Sequence, residues 1–560
     1  MFCFLLSESS SSQNFYYRDD KEEVLIACDY RSSGDIVIPK TVKEISDEEI
    51  PLPFANCQND ITSISFEEES ELISICNNSF YQTAIKFANL SHCNKLQFLN
   101  GSIFEQCRNL ETVFLPQNIL SIGINCFYVT ALQSINFPEK LTYIEDYAFS
   151  SCKIKNINFP EKLTYIGDGA FSNSGLTNII IPKNVTYLGN YSFVGYPITN
   201  FQILSNITYI GDGMFSGGSF INFTIPDKIT YIGNNAFARC RSLTNFIIPD
   251  KITYIRNNTF EQCTSLTNII ILGKSVSIGY RAFYSCTSLT NFTTLGSISY
   301  LGRESFSFCG LTNFTILVNA LIIEMDAFSD LPNLTSITFI GSINSINNYA
   351  FHHCTSLTNV TIIGSVTSIG KEAFSWFTSL TNIAITGNVN SIGDRAFYNS
   401  TELTNVTITG SITSIGKEAF SLCISLKEIA IKGNSLTIGD NGFYLCINLT
   451  SITFSGSLRY IGWNAFGDCP FLTNITFPSS TNSFSYGYEL FIKDATLDEY
   501  PISFFYLDPI FNIFIPGKFF VDTDHEFEVT RTSHLYVTRR TVLSNSTKIF
   551  FWTEKSLCSL

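Results

Sequence analysis

The stretch Leu163 to Phe171, LTYIGDGAF, is the one the chain keeps rewriting. With the Phe as a mark, the copies fall at Phe104, Phe127, Phe149, Phe171, Phe193, Phe215, Phe237, Phe260, Phe283, Phe306, Phe328, Phe351, Phe374, Phe397, Phe420, Phe443 and Phe466, always 22 or 23 residues apart. Degenerate copies lead into Phe54 and Phe80 and end in Phe491, giving about twenty units. A fixed short period of this kind is the signature of stacked coils, each too small to close a core alone.

The unit Leu176 to Phe193, LTNIIIPKNVTYLGNYSF, divides into three short apolar runs. LxxIxI alternates as a half-buried strand does, VxxLG is a second extended piece, and the third run ends in Phe. About seven buried side chains at ~1.5–3 kcal/mol each cannot offset ~1.5 kcal/mol of ordering entropy per residue. A unit needs neighbours on both sides. The expected fold is therefore a solenoid, a β-rich α/β architecture with stacked parallel strands and a short helical turn in each 22–23-residue repeat.

Length variation sits in one place. Five residues separate the Phe from the next Leu-type position after Phe127, Phe149, Phe171, Phe193, Phe215 and Phe306, and six after the other array marks. A turn absorbs one residue cheaply, whereas a strand would turn its core face outward. Four residues before the Phe, Gly recurs, as at Gly167 and Gly189, which suggests a tight bend; Glu145, Arg256 and Glu324 in the same place argue against an obligatory positive φ.

Two outward columns follow from the register. Six residues before the Phe stand Tyr143, Tyr165, Tyr187, Tyr209, Tyr231 and Tyr254 in successive units, replaced later mostly by Ser. They neighbour inward Ile or Leu, so they face solvent, either stacking across coils or forming an aromatic stripe for a protein or sugar. Fifteen before the Phe, Asn recurs, including Asn178, Asn222, Asn245, Asn268, Asn291 and Asn313. These form either a ladder of amides or a polar binding face. The twelve residues are the candidate partner-binding set. Several of these Asn lie in N-x-T sequons, but side chains ~4.8 Å apart cannot all carry glycans.

Catalytic, cofactor and metal sites are not expected. Of 17 cysteines, an odd number, eleven lie three residues after a unit's Phe, Cys57 and Cys240 among them. Parallel Cβ vectors in such a column disfavour disulfides, and the paired short spacings of zinc sites are absent. His352 and His353 read as exposed residues beside a core Cys. The acids and His of Asp522, Asp524, His525, Glu526 and Glu528 read as an edge strand as readily as a cation site. GKS at 273–275 lacks the upstream Gly of a phosphate loop, because Asn268 stands there. A net charge of −14 with only 15% charged residues disfavours nucleic acid, and no apolar run approaches the ~20 residues of a membrane span.

The consensus L-T-x-I-x-I-P-x-x-[IVL]-T-x-I-G-x-x-A-F-x-x-C resembles the BspA-like leucine-rich repeats of surface antigens in mucosal bacteria and parasitic protists. The resemblance covers roughly residues 36 to 491 and implies a leucine-rich repeat solenoid, surface display and adhesion to a protein or cell-surface macromolecule, glycans included. The sequence carries no recognisable export signal or anchor, so the alternative is a cytoplasmic scaffold for protein–protein interaction. The expected organisation is a mobile leader over 1–24, a cap with degenerate repeats over 25–80, the array over 81–491, and a degenerate repeat with a β cap over 492–560. Oligomeric state is not legible from the repeat.

Overall fold

The computed structural model describes residues 15–18, 21–28, 32–46, 53–54, 59–195 and 197–476, with the backbone of short strands at 485–486, 511–514, 517–520, 526–529 and 535–537. Contacts group into two compact units, Met1–Leu266 and Thr267–Leu560. The repeat runs through both, and each is a stack of parallel β coils.

In the first unit the second strands of successive coils, Ser121–Ile122, Tyr143–Ile144, Tyr165–Ile166 and Tyr187–Leu188, pair parallel and in register. First strands do the same, with Asn178–Ile181 set against Asn200–Ile203. Pro breaks the passage between them. Lacking an N–H, it ends the ladder, and its carbonyl then closes a turn, accepting from Leu163 N–H at Pro160 and from Ile252 N–H at Pro249, 3.1 Å each. At the N-terminal end Val24–Cys28 is buried throughout and pairs parallel with Glu44–Ile45. Phe15–Tyr17, within the stretch read as leader, lies antiparallel on it.

In the second unit the described coils carry no Pro at that place, Gly often standing one position later as at Gly273 and Gly341, and three coils run both strands together as Asn313–Ile323, Glu428–Ile438 and Ser451–Ile461. Elsewhere a short break remains, as between Asn359–Ile363 and Val366–Ile369. The backbone explains the difference: where every residue after the first strand keeps its N–H, the ladder can continue around the corner.

The core is one residue type deep at its centre. Phe149 and Phe171 are buried and stack at 5.3 Å with 4° between ring planes; Phe328 and Phe351 stack at 5.1 Å and 5° in the second unit. Around each ring the inward positions close, as Leu176, Ile179, Ile181, Val185 and Leu188 do beside Phe193.

The expected helical turn does not form; the described residues contain no helix. Around Phe149 the N–H groups divide. Tyr147, Phe149 and Ser151 donate to Asp168, Ala170 and Ser172 of the next coil at 2.8 Å each, while Ala148, Ser150 and Cys152 donate three residues back. A helix would send every N–H four residues back. The alternation also needs positive φ two residues before and two after the Phe, met by Tyr147 (54°) and Ser151 (59°) and repeated in coil after coil. Left-handed residues at both flanks exclude a continuous helical turn.

The recurring Gly does not need positive φ either. Gly189 donates to Ile166 O at 2.8 Å, and a Cβ there would stand 2.4 Å from the Asp168 nitrogen of the coil beneath. Close approach of two backbones, not left-handed geometry, selects it. Glu145 keeps the equivalent bond to Ile122 O at 2.9 Å, so that coil accommodates a side chain at the same place.

Candidate partner-binding faces

The Tyr column lies on the second strands of the first unit. Tyr143 and Tyr231 are exposed, and Tyr165, Tyr187, Tyr209 and Tyr254 half-buried. The rings lean on one another: Tyr143–Tyr165 centroids are 5.7 Å apart, and Tyr165–Tyr187 stack at 4.6 Å with 8° between planes. Arg256, which occupies a Gly position of the repeat, lies over Tyr231 at 4.3 Å and Tyr254 at 5.4 Å. Stacking consumes ring faces within the column, so what reaches solvent there is chiefly ring edge and hydroxyl.

A polar column runs beside it that the sequence reading missed. The Asp or Asn three residues before the Phe accepts from the backbone N–H of its counterpart one coil on: Asp146 from Asp168, Asp168 from Asn190, Asn190 from Asp212 and Asp212 from Asn234, all at 2.8 Å. Tyr187 joins the two columns by donating its hydroxyl to Asp168 Oδ1 at 3.0 Å. Burial, then that bond and the charge of Asp168, push the Tyr187 phenol well above its ordinary value; burial and the charges of Asp146 and Asp168 raise Tyr165 likewise. The signal was present in the sequence as a recurrent D or N, but the bond crosses coils and so escapes a reading of single units.

The Asn column lies on the first strands. Asn178, Asn222, Asn245, Asn291 and Asn313 are exposed and Asn268 half-buried. Register pairs Asn178 with Asn200, Asn222 with Asn245 and Asn268 with Asn291. Their amides bond to hydroxyl neighbours: Asn245 Nδ2 donates to Thr244 Oγ1 at 3.1 Å, and Asn313 Oδ1 accepts from Thr335 at 3.0 Å and Ser336 at 2.7 Å. The structure thus sets neighbouring members of each expected column in register.

The cysteine column is a hydrogen-bonding device. Cys152 Sγ donates to Phe127 O at 3.1 Å, Cys240 to Phe215 O at 3.2 Å and Cys354 to Phe328 O at 2.8 Å. Ser400 fills the same role, donating to Phe374 O at 2.9 Å. Burial pushes the thiols of Cys152, Cys240, Cys354 and Cys423 up to about 12, so they stay protonated and unreactive.

His352 and His353 stack at 3.8 Å, and His353 Nδ1 lies 3.1 Å from Asp330. Among the described residues no group of three or more His, Cys, Asp or Glu is placed to hold a metal ion, and no helix is long and apolar enough to cross a membrane. Cys57, Phe491, Asp522, Asp524 and His525 lie outside the described residues, as do the side chains of Glu526 and Glu528.

The family model described as BspA type leucine rich repeat region matches residues 27–155, 121–221, 216–330, 299–423 and 390–504, covering the chain from 27 to 504. No curated protein matches the sequence. Among solved structures the chain is similar to a leucine-rich repeat protein from Bacteroides ovatus, at 20% identity over 83% of this chain and 93% of that one, with a TM-score of 0.27. A leucine-rich repeat protein from Eubacterium ventriosum is 21% identical over 68% and 94%, with a TM-score of 0.40. A leucine rich cell surface protein from Faecalibacterium prausnitzii is 18% identical over 84% and 94%, with a TM-score of 0.23.

Proposed function

The chain belongs to the BspA-type leucine-rich repeat family, and from that we propose that it is a non-catalytic surface protein of adhesin or antigen type, contacting a protein or glycan partner on another cell over its outward columns. The observation that carries this reading is the alignment of outward side chains from coil to coil. Tyr143, Tyr165 and Tyr187 in one column, and the register pairs Asn178–Asn200, Asn222–Asn245 and Asn268–Asn291 in the other, stand at strand spacing. Such rows suit many shallow contacts rather than one enclosed substrate. Later units carry Ser at the Tyr position (Ser345, Ser368, Ser391, Ser414) and keep the same coil, so the fold does not require the aromatic column.

The test is binding of the labelled chain to intact epithelial cells and to matrix-coated surfaces, compared with a variant carrying Ser at all six Tyr positions. Saturable binding that falls at least tenfold in the variant, with β circular dichroism retained, supports the reading; equal binding sinks it. A second reading, an intracellular scaffold, draws on the buried thiols of Cys152, Cys240 and Cys354, which suit a reducing compartment as well as an oxidising one. Surface biotinylation of intact source cells separates the two: labelled chain supports display, and exclusive recovery in the unlabelled fraction supports the scaffold.

A further inference from the structure

Eleven residues before the Phe, five successive coils of the second unit place an exposed aliphatic side chain: Leu272 (37% exposed), Leu295 (66%), Leu317 (42%), Ile340 (38%) and Ile363 (47%). Leu317, Ile340 and Ile363 are register partners, and Leu295 N–H donates to Ile271 O at 2.9 Å, holding its place in the row. The five segments are NIIIL, NFTTL, NFTIL, SITFI and NVTII, with no charged residue in any of them. Between the aliphatic row and the Asn column stand Ile270, Thr293, Thr315, Thr338 and Thr361, and the exposed Lys274 lies two residues past Leu272 at one end, so the middle of the row forms an uncharged ridge.

From this ridge we infer that the second unit carries a self-association surface, and that its occupant is a second copy of this chain related by a two-fold axis. Three observations select that occupant. The first is spacing. The row repeats at ~4.8 Å, and an α-helix, with a 5.4 Å pitch, drifts out of step with it within a few turns. Another copy carries the same spacing by construction.

The second is charge. At a net charge of −14, two copies repel over most faces they could share. These five strands are free of charge, so the repulsion there is least.

The third is shape. A two-fold axis along the strand direction through Leu317 sets Leu272 against Ile363 and Leu295 against Ile340, with Leu317 meeting its own copy. The most exposed side chain, Leu295, then meets the less exposed Ile340. The patch covers roughly 400 Å² per copy. Two such patches fall short of the ~1,200 Å² of a stable interface, so the dimer is weak and its population follows micromolar concentration.

The experiment is sedimentation velocity of the full chain across a concentration series, with circular dichroism confirming that each variant folds. Wild type is expected to shift from monomer toward dimer as concentration rises. Leu295→Glu alone and Ile340→Lys alone are each expected to weaken dimerisation at least tenfold. The double variant L295E with I340K restores it, because the two-fold puts opposite charges face to face. Ile247→Glu, at an exposed site of the first unit (54% exposed), should leave it unchanged. Any of four results overturns the proposal: a monomer at every concentration, a dimer indifferent to Leu295→Glu, a double variant that fails to recover, or a dimer lost through Ile247→Glu.

Discussion

Tyr187 donates its hydroxyl to Asp168 Oδ1 at 3.0 Å while its ring stacks on Tyr165 at 4.6 Å, tying the aromatic column to the acidic one across a coil boundary. Tyr187→Phe keeps the stack and loses the bond; at a half-buried site the expected cost is about 0.5–1.5 kcal/mol. Tyr187→Ser loses both and should cost more. Equilibrium urea unfolding of the two variants checks the order.

The stacked Phe rings are among the largest fully buried side chains of the coils. Phe171 lies 5.3 Å from Phe149 and 5.7 Å from Phe193, so Phe171→Ala opens a void that neither neighbour can fill. A loss of about 3–5 kcal/mol is expected in chemical denaturation, with unfolding beginning in the first unit.

Thiol chemistry gives a prediction with a sign. Burial raises Cys240 and Cys354 from 9.0 to about 12, so between those values the unfolded chain has lost protons that the folded chain keeps. The stabilisation is full below pH 9 and is lost as pH rises toward 12. Thermal midpoints should therefore fall progressively above pH 9, and alkylation of these thiols at pH 8 should wait for denaturant. Cys354→Ser, which can still donate to the Phe328 carbonyl, should stay within about 1 kcal/mol of wild type, whereas Cys354→Ala should cost about 1–3 kcal/mol.

Close backbone approach makes Gly189 hard to replace. Its added Cβ would sit 2.4 Å from backbone atoms of the coil beneath, and neither side is a flexible side chain that can swing away. Gly189→Ala is expected to destabilise by about 1–3 kcal/mol. The opposite sign is expected at Val129, a β-branched residue held at a φ of 57°: Val129→Gly should stabilise by about 1 kcal/mol. Both follow from the same unfolding titrations.

How much of this was legible depends on where the determinant lies. Coil register could be read because Phe149, Phe171 and Phe193 recur at one period and indels fall in one turn, so the inward and outward positions, and hence the Tyr and Asn columns, came with it. The helical turn was misjudged because the left-handed sites at Tyr147, Val129 and Ser151 are ordinary residues with no glycine to mark them. The Asp146–Asp168–Asn190 bonds and the donation from Cys240 to Phe215 join different coils, and a single repeat contains only one partner of each. Ring tilt in the Tyr column is set by packing between neighbours, which spacing alone does not carry.

The claim beneath all of this is that aligned outward residues on stacked coils make a contact surface. Quantitative binding of the labelled chain to intact epithelial cells, wild type beside the six-fold Tyr→Ser variant, tests it most directly. Saturable wild-type binding that drops at least tenfold in a variant with unchanged β circular dichroism is the expected result. Equal binding by the two proteins, or no saturable binding by wild type, would contradict it.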